Sequence, residues 1–204
     1  MKSKLMKKLV AIATSAALVL GLAVGVSAIE TDTVTVKVNI QRVDRTQYAD
    51  LDGDGIEEPM VTVLTQQAIE VPSTSNATLN QVVESMENIS SANVTNVDWE
   101  TVNVYDSNYN VIGTAQALTS LKYGSTLLDD WYNYPTANSY EGESWMWFYG
   151  SPSDMPEDGA NYRTENYPTD YLSQVTVSQL PNATANGAGV YEFTLSFEKD
   201  SMSW

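Results

Sequence analysis

The chain has 204 residues, with 26 Asp or Glu against 10 Lys or Arg, a formal charge of −16 at pH 7, and neither cysteine nor histidine. Those two absences exclude disulfides, thiolate nucleophiles, zinc sites built on Cys or His, and every Ser-His or Cys-His relay. The acidity repels phosphate backbones and anionic membrane surfaces, so nucleic acid and lipid are not expected partners. Cations, neutral glycans, uncharged small molecules and basic protein surfaces remain open.

Residues 1–28 read as a secretory signal peptide. MKSKLMKK is a basic leader, LVAIATSAALVLGLAVG an apolar run too short for a membrane span, and Val26, Ser27 and Ala28 a small-residue cleavage site. The product is expected to be secreted or cell-surface associated. Four of the ten basic residues, Lys2, Lys4, Lys7 and Lys8, belong to this leader, so the remainder is more acidic still. Residues 29–204, about 175 in number, suffice for one domain with a real core.

From Thr33, TVTVKVNIQRV alternates Val34, Val36, Val38 and Ile40 with Thr35, Lys37, Asn39 and Gln41, the pattern of a strand buried on one face only. MVTVLTQQAIEV, Met60 to Val71, is also rich in β-formers, and the two runs are expected to pair as a hairpin. Leu79, Val82, Val83, Met86 and Ile89 then recur at helical spacing. Thr78 and Gln81 form a capping box at the start of that helix, the only one the pattern predicts. Strands follow at VTNVDWETVNVY and VIGTAQALTSL, with Asp106 to Asn110 as the hairpin tip. The stretch from Gly124 to Glu143 shows little periodicity and reads as an ordered excursion or a long loop. ESWMWFYG reads as a short strand, with Trp145, Trp147 and Tyr149 on one side and Met146 and Phe148 on the other. The chain closes with strand patterns at LSQVTVSQL and YEFTLSFEKD. One amphipathic helix among many strands must bury its stripe against a sheet, which predicts an α+β domain. The simplest architecture is a β-grasp-like, mostly antiparallel sheet with one packed helix.

Five stretches carry a resemblance to a known family: VTVKVNI, QQAIEVPSTSNATLNQVVESM, ALTSLKYG, GESWMWFYG and FTLSFEKDSMSW. In these the chain resembles the transcobalamin-like C-terminal domain family, β-grasp domains of secreted and surface proteins of Gram-positive bacteria, mostly of unknown function. The resemblance implies the β-grasp fold. In the vertebrate cobalamin carriers the related domain covers one face of a corrinoid held mainly by a separate helical domain, so it also implies, weakly, a corrinoid as ligand.

DLDGDGIEE, between the first two strand patterns, places Asp50, Asp52 and Asp54 at positions one, three and five of an oxygen-ligand loop. The carbonyl of Ile56 falls at position seven and Glu58 at position nine, while Gly53 and Gly55 permit the tight turn. Val61 occupies the place where a helix-flanked loop carries its bidentate Glu, so the pattern is the hairpin type. A structural calcium ion is the expected occupant, since a hard cation relieves the repulsion of clustered carboxylates. A solvated acidic turn is the alternative. Trp145, Trp147 and Tyr149, with Trp131, Tyr132, Tyr134 and Tyr140 nearby, suggest a stacking platform for a sugar ring or flat ligand; the alternative is that this face is core. Trp99 and Trp204 are read as packing residues. No motif selects a catalytic pair of carboxylates, so no enzymatic activity is expected. The expected function is a secreted binding or surface-interaction module for an unidentified small molecule, glycan or surface protein, with a carbohydrate-binding module as the alternative.

Overall fold

The computed structural model describes residues 33–50, 53, 55, 57–72, 76–155, 168–181 and 190–204. The expected signal peptide and the loop residues Asp52, Asp54 and Ile56 lie outside them. The described residues are mainly strand: β1 (Thr33–Ala49), β2 (Glu58–Pro72), β3 (Val94–Tyr105), β4 (Val111–Tyr123), β5 (Thr126–Asp129), β6 (Trp131–Thr136), β7 (Ser139–Tyr149) and β8 (Val190–Ser203), with one short helix, α1 (Leu79–Ser85). They form a five-stranded sheet of order β2-β1-β8-β7-β6 and a three-stranded sheet β3-β4-β5.

β1 and β2 pair antiparallel from Thr33↔Pro72 to Ala49↔Glu58, so the acidic loop is a hairpin tip. β8 returns from the far end of the sequence to lie parallel to β1, and β7 and β6 continue the sheet antiparallel. The alternation of β1 and β8 sends Val36, Val38, Ile40, Phe193, Leu195 and Phe197 to one face. There they join Leu79, Val82 and Val83 of α1 and Leu118, Leu121 and Leu128 of the smaller sheet in one apolar cluster. Each such side chain, removed from water, stabilises the fold by about 1.5–3 kcal/mol. α1 starts where its capping box predicts: the amide of Thr78 donates to Gln81 Oε1 at 3.1 Å. Its N-terminal end is tied to a distant segment, since the Leu79 amide donates to the Val175 carbonyl and the Val177 amide to the Ala77 carbonyl.

Several expectations are corrected. The helix pattern is mostly realised as two turns of α-helix, and it continues as 3₁₀ structure at Met86–Asn88, so Ile89 falls beyond it. The segment from Gly124 to Glu143 is strand, not loop: β5, β6 and the start of β7 lie within it. β6 is exposed along its whole length, and a strand wet on both faces carries no alternation to read. LSQVTVSQL is not a strand but two 3₁₀ turns, Leu172–Gln174 and Val177–Gln179, joined to α1 by the single bridge Thr78↔Thr176. Trp204 is not a packing residue but is 63 % exposed.

The polar side of β1 and β8 is also not a solvated face. Asn39, Gln41, Arg45, Thr194, Ser196 and Glu198 are all buried. Most of their polar atoms are partnered: Asn39 Nδ2 donates to Glu192 Oε1 at 3.0 Å, Gln66 Nε2 to Asn39 Oδ1 at 3.1 Å, and Gln41 Nε2 to Ser196 Oγ at 3.2 Å, while Gln41 Oε1 finds no donor among the described residues. Arg45 Nε meets Glu198 Oε2 at 2.5 Å. These partners offset most of the cost of burying polar groups.

Candidate functional site

β7 pairs with β8 in register, Trp145↔Phe197, Trp147↔Leu195 and Tyr149↔Phe193, which fixes the odd residues of β7 on the core face. Trp147 is 8 % exposed. Its ring meets Tyr149 edge-on at 5.2 Å and Phe193 at 6.3 Å, and its indole N–H donates to the Asp170 carbonyl at 3.0 Å. Trp145 lies 4.9 Å from Phe197, half-buried, and Tyr149 is half-buried at the far end. Burial, with a smaller contribution from the Asp170 charge, holds the Tyr149 hydroxyl above the usual phenol range.

Beside Trp145 and Trp147 a cleft of about 370 Å³ opens between β7, β4 and the segment Pro168–Leu172. Leu118, Leu172 and Leu195 supply apolar wall, Gln116 and Thr169 polar rim, and Asp170 is the one carboxylate residue among the described lining. The segment is clamped to β4: the Gln116 amide donates to Ser173 Oγ at 2.8 Å, and Ser173 Oγ returns a bond to the Gln116 carbonyl at 3.3 Å. Trp145 carries a further feature that its sequence does not announce. Its indole N–H is buried and finds no acceptor among the described residues. Its backbone amide, in contrast, donates to Asp130 Oδ1 at 3.0 Å, and burial raises the Asp130 carboxyl to about 6, opposed by that hydrogen bond and reinforced by Asp129.

In the acidic loop, Asp50 Oδ1 accepts the Gly53 amide at 2.6 Å and Oδ2 accepts the Gly55 amide at 3.1 Å. Gly53 and Gly55 hold φ of +86° and +90°, a left-handed backbone that side chains resist. Glu58 closes the hairpin opposite Ala49. Among the described residues, no group of three or more Asp or Glu side chains converges on one point. Three of the five expected ligands lie outside that set.

Of the aromatic residues expected to form the stacking platform, those with open surfaces lie on β6, which reads as loop in the sequence. Tyr132 and Tyr134 are 73 % and 61 % exposed. Trp131 is exposed too, its indole donating to Glu143 Oε2 at 2.9 Å. Glu143 also takes Arg42; against partial burial, the bonds from Trp131 and Arg42 and the nearby Lys199 charge hold its carboxyl below the usual range.

No protein-family model, curated protein or solved structure matches this chain. No helix of the described residues is long and apolar enough to cross a membrane.

Proposed function

We propose that this chain is a secreted, non-enzymatic binding module of β-grasp-like architecture, carrying a structural calcium ion in its acidic hairpin loop. The observation that carries the binding role is the cleft beside Trp145 and Trp147, about 370 Å³, walled mainly by uncharged side chains. Small-molecule sites are concave, mostly apolar and furnished with a few polar groups, and their volumes run from about 300 to 1,000 Å³. A cleft at the small end of that range fits a compact, uncharged ligand better than a corrinoid.

The β-grasp reading is supported by the central parallel pair β1 and β8, with β2 and β7 outside them and a helix after the first hairpin. The calcium reading is supported by the loop backbone. Asp50 already draws Gly53 and Gly55 inward with both carboxylate oxygens, and each of those oxygens keeps a lone pair for a cation. Asp52, Asp54, the Ile56 carbonyl and Glu58 complete the expected donor set, all oxygen.

The test of the binding role is a screen of small uncharged and aromatic compounds read by tryptophan emission and thermal shift. Saturable binding that Ala117→Trp abolishes, by filling the cleft, is the expected result. A panel without any response, or a response that survives the filled cleft, contradicts it. Turnover of a bound compound contradicts the non-enzymatic reading.

A further inference from the structure

We propose that the outer corner of the larger sheet formed by Tyr132, Tyr134, Tyr140, Met202 and Asp200 is a second site, for an organic cation of the alkylammonium kind. The strand registers build it. Tyr132 pairs with Gly142, which pairs with Asp200, and in the next row Tyr140 pairs with Met202. Successive residues of a strand alternate faces, so these side chains share the side of the sheet opposite the apolar cluster. Tyr134 completes the corner, its ring 6.2 Å from that of Tyr132 and 5.9 Å from that of Tyr140.

Gly142 has a specific task here. A Cβ at that position would stand 2.7 Å from the Tyr140 hydroxyl and 2.6 Å from the Trp131 carbonyl oxygen, so only glycine lets Tyr140 lie across the strand. Glycine inside a strand weakens it, and its presence marks a close approach.

Two features select a cation over a sugar. The rings are turned 73° and 60° to one another, which makes a corner rather than the flat shelf that a pyranose face would stack on. Among the described residues, Asp200 stands beside them with only the Ser201 amide, at 2.7 Å, on its carboxylate, and takes part in no ion pair. The nearby bases Arg42, Arg45 and Lys199 are engaged by Glu143, Glu198 and Asp44. The negative faces of tyrosine rings and one unpaired carboxylate together attract a diffuse positive charge. Burial first, and then the Asp200, Tyr134 and Asp130 charges, raise the Tyr140 hydroxyl above the usual phenol range, so it stays a neutral donor at the edge of the site.

The experiment titrates choline, its uncharged carbon isostere dimethylbutanol and cellobiose into the protein, followed by chemical-shift changes at the tyrosine rings. The expected result is millimolar choline binding, none by the other two, and weakening with added salt. Tyr132→Leu and Asp200→Asn each weaken choline binding about fivefold, while Tyr140→Phe, which keeps the ring, retains it. Gly142→Ala weakens it by displacing Tyr140, and unchanged melting of the Tyr132 and Asp200 variants separates site from fold. Equal binding of the isostere, binding of cellobiose in place of choline, or no shift at tens of millimolar choline overturns the proposal. The Ala117→Trp variant leaves this site intact, so its failure and that of the cleft are distinguishable.

Discussion

Replacing Trp147 tests whether the tryptophan strand serves the core. The indole is 8 % exposed, touches Tyr149 and Phe193, and holds the Asp170 carbonyl at 3.0 Å. Trp147→Ala removes those ring contacts, leaves a cavity that neighbours fill only partly, and strips a carbonyl of its donor. Substitutions of this class destabilise by about 3–5 kcal/mol. In a domain of this size each kcal/mol lowers Tm by about 2–4 °C, so the variant should melt roughly 6–20 °C below the parent. Trp147→Phe keeps a ring against Phe193 but loses the indole donor, and should cost only about 1–2 kcal/mol. Urea unfolding followed by far-ultraviolet circular dichroism gives both values. A Trp147→Ala protein within 1 kcal/mol of the parent, on the scale of about 1 kcal/mol for ordinary substitutions, would refute the reasoning and return the ring to the surface.

Three further perturbations probe other parts of the account. Glu198→Leu leaves the Arg45 guanidinium buried without its main carboxylate and should cost about 3–5 kcal/mol in urea unfolding; an unchanged midpoint would mean that the polar face is wet. The Asp130 carboxyl, raised from 3.8 to about 6 chiefly by burial, favours folding when protonated. Its contribution is fully present below about pH 4 and is lost as pH rises through about 6, and because the carboxyl is only partly enclosed the change is screened to about 1 kcal/mol. Asp130→Asn should therefore flatten that segment of the stability profile and gain stability at pH 7. Asp44 and Glu143, held low against burial by their hydrogen bonds and cationic neighbours, act in the opposite sense, losing stability as pH falls, so the difference between parent and variant is the quantity to plot. Calcium should raise Tm in the parent and not in Asp52→Ala; equal melting in calcium and in chelator contradicts an ion in the loop.

The elements legible in the sequence are those whose two faces differ. β1 and β8 alternate apolar with polar residues, α1 carries its stripe and capping box, and Asp106 marks its hairpin by accepting the Asn108 and Asn110 amides at 2.8 and 2.9 Å. Where the faces do not differ, the reading fails. β6 is wet on both sides and looks like loop. LSQVTVSQL alternates because its buried Leu172, Val175 and Val177 plug the core from successive turns, which period-two counting mistakes for a strand. The polar side of β1 reads as solvated because alternation reports polarity, and burial of a hydrogen-bonded network needs the third dimension. For the sites, the tryptophans of β7 were identifiable as a cluster, but their orientation depends on pairing with β8, and the opening beside them depends on Pro168–Leu172, distant in sequence. The tyrosine corner is the converse: its residues were in view, while Gly142 and Asp200, which shape and charge it, come from strand register alone.

The most direct measurement for the binding role is the dissociation constant of the best compound from an uncharged-ligand screen, compared between the parent and Ala117→Trp under matched conditions. Ala117 lines the cleft, so the indole should fill it. The account predicts saturable binding in the parent, lost from the filled variant while its melting without ligand stays close to the parent's. Undiminished affinity in a folded Ala117→Trp protein would contradict it.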